Sequence, residues 1–228
     1  MAKYSTVFFD ADETLLDFLR SERAALTEAL TSLGIPCPDE TVTLYSGINS
    51  SLWKMLERGE IEKSRLRVVR FEMLREKLGF DASPDEIAVA YTDSLGKQSF
   101  VLDGAIDICK KLAPHCRLYM VTNGLKDVQS GRLAGSGLLP YFSGVFVSED
   151  VGIEKPDVRY FERVAAAIPN FDKKDTIIVG DSLTSDMKGG IAFGIDTCWF
   201  NPNGKECPAD MKLTYTVRNL SELEDIIL

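Results

Sequence analysis

Near its N-terminus the chain reads Phe8-Phe9-Asp10-Ala11-Asp12-Glu13-Thr14-Leu15, an apolar run that ends abruptly in acidic residues. The run begins at Ser5, and its β-branched and aromatic residues are typical of a buried strand. A strand that ends in carboxylates places them at the carboxyl edge of its sheet, where open α/β sheets bind ligands. Residues 5–10 are therefore the first predicted strand, and Asp10 and Asp12 are the first candidate site residues.

Similar apolar runs recur along the chain and alternate with helical patterns. The other predicted strands are Leu118–Val121, Val145–Val147, Thr176–Val179, Thr197–Phe200 and Thr214–Val217, and the predicted helices among them are Ala105–Leu112, Val128–Leu133, Val158–Ala167 and Met187–Phe193. Alternation of this kind indicates parallel βαβ units, and near-continuous apolar strands are typical of a sheet that is covered on both faces. The predicted fold class is α/β, with a doubly wound, mainly parallel sheet and a Rossmann-like core.

One interval, from Leu16 to about Ser99, contains only helix signals. These signals are Ala25–Leu33 followed by Gly34, Arg65–Leu78 followed by Gly79, and a capping box at Ser83-Pro84-Asp85-Glu86. The interval is too long for a crossover between strands, so it predicts an inserted helical cap domain. We expect a core domain of residues 1–16 and 100–228 and a cap of residues 17–99, with hinges near Asp17 and near Asp103-Gly104.

Composition excludes several classes of function. Of the 228 residues, 45% are apolar, and 35 acidic against 26 basic residues give a formal net charge of −9. This balance argues against global disorder and against a nucleic-acid polymer as partner. We find neither a signal-peptide pattern nor an apolar run of ~18 residues, so no membrane partner is expected. The five cysteines are never spaced as CxxC, which favours free thiols and a cytoplasmic location. The oligomeric state stays open.

The single histidine, His115, lies in a predicted surface turn with no nucleophile near it in the sequence. A solvated loop residue is the simpler interpretation. Triad chemistry based on histidine is therefore not indicated, and general acid–base work is left to carboxylates or lysine.

A second acidic segment, Gly180-Asp181-Ser182-Leu183-Thr184-Ser185-Asp186, also follows a predicted strand. If this strand neighbours residues 5–10, Asp181 and Asp10 converge at one edge, with Asp186 in or near the next helix. Clustered carboxylates are costly without a cation, and Mg²⁺ prefers such oxygen ligands. The alternative is helix capping, by a single aspartate or by Ser182 or Ser185.

Two further segments offer groups for an anion. The first, Thr122-Asn123-Gly124, ends a predicted strand and supplies a hydroxyl, an amide and accessible backbone N–H groups for phosphoryl oxygens. The second, Glu154-Lys155-Pro156, places a lysine directly before a proline that is predicted to begin a helix. Lys155 would hold phosphate and balance the acids. The alternatives are an ordinary turn and a solvated lysine.

In this order, the four segments resemble the motifs of the haloacid-dehalogenase-like hydrolase superfamily. The resemblance runs from about Tyr4 to Phe200 and rests on Asp10-x-Asp12-x-Thr14, Thr122, Lys155 and Gly180-Asp181…Asp186. The inserted helices match that family's helical cap, although Glu13 stands where most members have glycine. The form of residues 10–15, together with Asn49…Leu52-Trp53, looks like the bacterial pyrimidine 5′-nucleotidase branch.

The resemblance implies a reaction at phosphorus. Asp10 would attack in line to give an aspartyl-phosphate, and Asp12 would protonate the leaving alkoxide and then activate water. Dehalogenase members lack an acid at the position of Asp12, so its presence favours a phosphatase. Thr122 and Lys155 would stabilise the transferring oxygens.

The resemblance also implies a metal site and a substrate site. Mg²⁺ would be held by Asp10, the Asp12 carbonyl and Asp181, and Asp186 would support these ligands from behind. The candidate substrate residues of the cap are Phe18, Asn49 and Trp53. Tyr45 and Phe71 are further aromatic candidates, each more typical of helix packing.

The leading hypothesis is a Mg²⁺-dependent phosphomonoesterase, with nucleoside 5′-monophosphates as the favoured small-molecule phosphate esters. The first alternative is a sugar-phosphate phosphatase or phosphomutase on the same core. The second is a phospho-accepting signalling receiver, although such domains are close to ~120 residues and carry no large insertion.

Overall fold

The computed structural model describes residues 2–228 and contains one six-stranded sheet with the order β3-β2-β1-β4-β5-β6. The strands are β1 (Thr6–Phe9), β2 (Arg117–Thr122), β3 (Phe142–Val147), β4 (Thr176–Gly180), β5 (Asp196–Phe200) and β6 (Tyr215–Val217). Every pairing is parallel. This strand order is that of doubly wound folds, so the predicted fold class is confirmed.

Helices cover the sheet and fill the interval between β1 and β2. They are α1 (Phe18–Ser32), α2 (Asp39–Glu57), α3 (Lys63–Leu78), α4 (Pro84–Leu95), α5 (Ala105–Leu112), α6 (Lys126–Ser136), α7 (Ser148–Val151), α8 (Val158–Ala166), α9 (Lys188–Phe193) and α10 (Leu223–Ile227). Helix α5 has the predicted bounds. Helix α1 begins earlier than predicted, because the Asp17 side chain accepts a hydrogen bond from the Arg20 N–H and caps the helix there.

Two predicted features of helix starts are not present. The predicted capping box at Ser83 does not form, because the Ser83 side chain makes no capping hydrogen bond, although Pro84 is the first helical residue as predicted. Pro156 does not begin a helix. Helix α8 begins at Val158, as the apolar pattern predicted, and the Asp157 carboxylate accepts a hydrogen bond from a backbone N–H of its first turn.

The sheet lies between two apolar clusters. Val7 and Phe9 of the central strand β1 face one cluster, and Phe8 between them faces the other. Alternate residues of a strand point to opposite faces, so a strand that is buried on both sides is apolar throughout. This burial explains the near-continuous apolar runs from which the strands were predicted.

The helices α1–α4 have an apolar core of their own. At its centre the rings of Tyr45 and Phe71 stack with centroids 5.3 Å apart, and Tyr91 packs against both. Tyr45 and Phe71 are therefore packing residues rather than substrate contacts. The chain leaves the sheet and returns to it side by side, since Leu16 pairs with Val101 in an antiparallel bridge.

Two simpler predictions concern exposure and covalent state. His115 is exposed, as expected for a loop residue. All five cysteines are free, which agrees with the prediction of unpaired thiols. Within residues 2–228, no helix combines the length and the apolar character needed to cross a membrane.

Candidate active site

The predicted site residues meet at the carboxyl edge of the sheet. Strand β1 lies between β2 and β4, with Phe9 in register with Met120 on one side and Val179 on the other. Asp10 follows β1 directly, so it emerges between Thr122 at the end of β2 and Asp181 just after β4. The expected neighbourhood of residues 5–10 and 176–180 is therefore present.

Three carboxylates form a compact cluster at this edge. One carboxylate oxygen from each of Asp10, Asp181 and Asp186 lies within 4.8 Å of the other two. Gly180 makes this approach possible, because a Cβ atom there would lie only 2.3 Å from Asp186 Oδ2. The helical turn that carries Asp186 is capped by the Ser182 side chain, which accepts a hydrogen bond from the Ser185 N–H.

Lys155 lies beneath this cluster and is almost completely buried. Its Nζ donates to Asp10 Oδ1 at 2.7 Å, to Asp186 Oδ1 at 2.6 Å and to the Val121 carbonyl oxygen at 2.7 Å. The three N–H groups of the ammonium are thus all used. The Asn123 side chain makes two hydrogen bonds to the Lys155 backbone, each at 2.8 Å. Its Nδ2 donates to the Lys155 carbonyl oxygen, and its Oδ1 accepts from the Lys155 N–H. The Asn123 amide therefore holds the lysine in place, and Asn123 also lines a cavity over this edge of the sheet.

The electrostatics of the cluster are strongly perturbed. Burial raises the pKa of Asp10 to about 7, with repulsion from Asp186 adding to the shift and Lys155 opposing it. Burial and the neighbouring carboxylates also raise the pKa of Asp181 well above its ordinary value. Burial lowers the pKa of Lys155, but attraction to Asp10 and Asp186 outweighs this effect and leaves it raised. The lysine is therefore charged, and its single charge faces three acids.

This donor set fits a divalent cation. Asp10 and Asp181 supply oxygen ligands of the kind that Mg²⁺ prefers, and the acids outnumber the buried lysine beside them. The Asp181 segment is held from outside the cluster, because the Trp199 Nε1 donates to the Asp181 carbonyl at 2.8 Å and the Asp181 N–H donates to Thr14 Oγ1 at 3.1 Å.

The Asp12 side chain is not one of the three clustered carboxylates, and it contacts α6. Its Oδ2 accepts from Gln129 Nε2 at 2.9 Å, and its Oδ1 pairs with the Arg132 guanidinium, which is buried. Sequence reasoning missed Gln129 and Arg132. Their spacing of three residues, next to the buried Val128 and Leu133, was the available signal, because it places both polar side chains on the buried side of the helix.

A cavity of about 180 Å³ lies over this edge of the sheet. It is lined by residues at this edge of the sheet and by three residues of α1 and α2, namely Phe18, Trp53 and Glu57. A second cavity of about 430 Å³ adjoins it and shares the same three side chains. Of the predicted cap residues, Phe18 and Trp53 thus lie at the site.

Asn49 lies farther out, in the wall of the second cavity. Its side chain is buried, and its Nδ2 donates to Glu22 Oε1 at 2.8 Å while its Oδ1 accepts from Arg70 at 3.3 Å. The amide oxygen and one N–H are therefore engaged within the protein. Burial raises the pKa of Glu22, and its hydrogen bonds to Ser46 and Asn49 oppose that shift.

Glu13, which stands where most members of the resembled family have glycine, has a left-handed backbone with φ of 59°. This conformation is unfavourable for most side chains and free for glycine. The Glu13 carboxylate accepts a hydrogen bond from the Leu19 N–H at 2.9 Å, which ties the turn to the start of α1.

A protein-family model described as haloacid dehalogenase-like hydrolase matches residues 4–194. The chain belongs to this family. The match contains all four segments from which the resemblance was inferred, and it includes the helices α1–α4. The chain is therefore a hydrolase of the haloacid dehalogenase-like type.

Relatives and solved structures agree with this assignment. The chain is 39% identical over 225 residues to pyrimidine 5′-nucleotidase PynA of Streptococcus pneumoniae, covering 98% of this chain and 95% of PynA. It is 31% identical over 225 residues to pyrimidine 5′-nucleotidase YjjG of Escherichia coli, covering 99% and 98%. A crystal structure of the HAD-hydrolase YfnB from Bacillus subtilis, bound to magnesium, superimposes with a TM-score of 0.93 at 39% identity and covers 98% of each chain.

Proposed function

We propose that this chain is a Mg²⁺-dependent phosphomonoesterase that acts through an aspartyl-phosphate on Asp10 and prefers nucleoside 5′-monophosphates. The observation that carries the proposal is the juxtaposition of a buried Asp10 with a charged Lys155 on one side and Thr122 on the neighbouring strand. Two full-length relatives that are named pyrimidine 5′-nucleotidases support the choice of substrate.

In the proposed reaction, a carboxylate oxygen of Asp10 attacks phosphorus and the bond from phosphorus to the ester oxygen breaks. Asp12 gives a proton to that oxygen, which leaves as an alcohol. The Asp12 carboxylate then takes a proton from water, whose oxygen attacks phosphorus and breaks the bond to Asp10. The net change converts a phosphate monoester and water into an alcohol and inorganic phosphate, and both side chains return to their starting state.

The acidic cluster has a separate role in this proposal. Asp10 and Asp181 would hold Mg²⁺ together with the Asp12 carbonyl. Asp186 would support these ligands from behind, because it accepts a hydrogen bond from Lys155. When bound, the ion neutralises phosphoryl charge and orients the phosphate. Thr122 provides a hydrogen-bond donor beside the same oxygens, and the positive charge of Lys155 lies close to them.

Residues 17–99 are proposed to act as a cap over the core formed by residues 1–16 and 100–228. The cavity above Asp10 is lined from both parts, with Phe18, Trp53 and Glu57 opposite the core residues. A volume of about 180 Å³ is small beside the ~300–1,000 Å³ of ordinary ligand pockets, but the adjoining cavity adds about 430 Å³. A phosphate at Asp10 with its organic group beside Trp53 and in the second cavity fits this division.

The decisive experiment measures release of inorganic phosphate from a panel of nucleoside monophosphates and a panel of sugar phosphates, with and without Mg²⁺. We expect the wild type to favour nucleotides and to require the ion, and the near-isosteric variant Asp10→Asn to lose turnover by at least ~10³-fold. Near-normal turnover by Asp10→Asn would refute the mechanism. A preference for sugar phosphates would refute only the substrate assignment and support the alternative sugar-phosphate phosphatase.

The signalling receiver fits the structure less well. Receivers of the flavodoxin-like type have the strand order 2-1-3-4-5, whereas this sheet has six strands in the order β3-β2-β1-β4-β5-β6. A phosphorylated Asp10 that persists for minutes with no release of phosphate would nevertheless favour that alternative.

A further inference from the structure

The side chain of Gln129 connects Asp12, the proposed proton donor, with Thr122, a proposed donor to the phosphate. Its Nε2 donates one hydrogen to Asp12 Oδ2 and the other to Thr122 Oγ1, each at 2.9 Å. Its Oε1 accepts from Arg132 Nη1 at 3.0 Å. Because arginine only donates, the amide oxygen must face Arg132 and the amide nitrogen must face Asp12. The orientation of this buried glutamine is thus determined by its partners.

The same contacts determine the direction of the Thr122 hydroxyl. Its oxygen accepts hydrogen bonds from Gln129 Nε2 and from the Gly124 N–H at 3.2 Å. A hydroxyl has two acceptor lone pairs and one O–H, so the hydrogen is left to donate elsewhere. Thr122 lines the cavity, and its free O–H is available there for a phosphoryl oxygen. Gly124 leaves room for this arrangement, since a Cβ atom there would lie 2.5 Å from Gln129 Cγ.

Arg132 completes the network and connects it to the first helix of the insertion and to the segment that follows the last one. Its guanidinium lies beneath Asp12, with its side chain 1% exposed, and its centre is 5.6 Å from the centroid of the Phe18 ring. Its Nη2 donates to Ser21 Oγ at 3.4 Å and its Nε donates to the Gln98 carbonyl at 3.3 Å. Asp12 is therefore held by an arginine that is itself held at both ends of the helical insertion.

We propose that Gln129 and Arg132 are positioning residues, which hold the Asp12 carboxyl where it transfers its proton and turn the Thr122 hydroxyl toward the phosphate. The inference rests on the proposed function, because it concerns the proton that Asp12 delivers to the leaving oxygen. Neither residue belongs to the four segments that carry the family resemblance. Each acts through another side chain rather than on the substrate.

The test compares two leaving groups. A nucleoside 5′-monophosphate releases a strongly basic alkoxide, which needs a proton as it departs, whereas p-nitrophenyl phosphate releases a phenolate that departs without one. The measured quantity is kcat/KM, which covers the steps up to departure of the first product and therefore excludes the later activation of water. Loss of the Thr122 orientation lowers kcat/KM for both esters. The ratio of the two kcat/KM values therefore reports only on proton transfer from Asp12.

For Gln129→Ala and Arg132→Lys we expect kcat/KM for the nucleotide to fall by about 10²-fold, and to fall at least tenfold less for p-nitrophenyl phosphate. The variant Gln129→Glu keeps the shape of the side chain but offers no N–H, so the same selective loss is expected without a cavity. In an Asp12→Asn background, Gln129→Ala should leave the ratio unchanged, because the interaction that it supports is already absent.

The matched control is Gln98→Ala. Within residues 2–228 the Gln98 side-chain amide makes one hydrogen bond, to the Ser94 carbonyl at 3.4 Å, and the backbone oxygen of Gln98 still accepts from Arg132. Both esters should be hydrolysed by this variant at wild-type rates. An equal loss for the two esters in the Gln129 and Arg132 variants, with folding verified by thermal unfolding, would overturn the inference while leaving the phosphatase assignment intact. An active Asp10→Asn would overturn the assignment itself.

Discussion

Removal of the Lys155 ammonium tests the electrostatic design of the site. In Lys155→Met a side chain of similar length remains, but Asp10 and Asp186 lose the only cation that the structure places between them within residues 2–228, and the Val121 carbonyl loses its donor. Breaking a buried ion pair by removing one partner costs about 3–5 kcal/mol. For a chain of this size, each kcal/mol lowers Tm by roughly 2–4 °C, so we expect a fall of about 6–20 °C in metal-free buffer at pH 8.

The pH dependence of this loss follows from the same charges. Lys155 opposes the burial that raises the pKa of Asp10, so its removal raises that pKa further in the folded state only. A carboxyl with a raised folded pKa destabilises the protein once the pH exceeds its unfolded value, because ionisation is then easier in the unfolded chain. The fall in Tm should therefore be smaller at pH 5 than at pH 8. Added Mg²⁺ should restore part of it at pH 8.

The assay is thermal unfolding followed by circular dichroism, with Lys126→Met as the matched control. Lys126 pairs with Asp150 at 2.6 Å, but both side chains are about half exposed, so its Tm should stay within about 2 °C of the wild type. If Lys155→Met also stays within about 2 °C at pH 8, or if its loss is the same at pH 5, the lysine does not neutralise the buried acids and the reasoning fails.

Two further predictions concern the metal and the cap. In the wild type, Mg²⁺ should raise Tm more at pH 8 than at pH 5. Burial raises the pKa values of Asp10 and Asp181, so protons compete with the cation below about pH 7. An equal gain in Tm at both pH values, relative to KCl of matched ionic strength, would contradict this. Trp53→Ala should lower kcat/KM for nucleoside monophosphates by roughly 10–10²-fold, the equivalent of one buried aromatic contact, and leave small phosphate esters within about threefold. Val89→Ala, at an exposed position of α4, is the control, and an equal loss on both substrate classes would remove Trp53 from the substrate site.

The strands and the residues that follow them were predictable because of how a doubly wound sheet is buried. Each strand is apolar on both faces, so a polar residue directly after it marks the edge of the sheet. Asp10, Thr122 and Asp181 were identified as candidates in this way, and the observed strand order brings them together. Lys155 was also found, although Pro156 does not begin the helix that was expected there.

The helical insertion was harder to interpret. Its existence followed from helix spacing over a long interval, but a periodic pattern does not tell which aromatic side chains face a cavity and which face the core. Trp53 lines the cavities, whereas Tyr45 lies in the core of α1–α4. Asn49 was expected to face a substrate, yet its amide is engaged by Glu22 and Arg70. The division into a core and a cap stays a prediction.

From the order of its apolar runs and the polar residues that end them, the amino-acid sequence alone predicted the fold class and the candidate acids at the sheet edge, and the family followed from the resemblance of its four motifs. Local chemistry sufficed for the fold class and the acids, because strand burial and turn geometry act over a few neighbouring residues. Tertiary structure alone decided what Asp12 touches. Its partners Gln129 and Arg132 lie more than a hundred residues away, and only the packing of α6 against the sheet edge and the ends of α1–α4 brings their side chains to it.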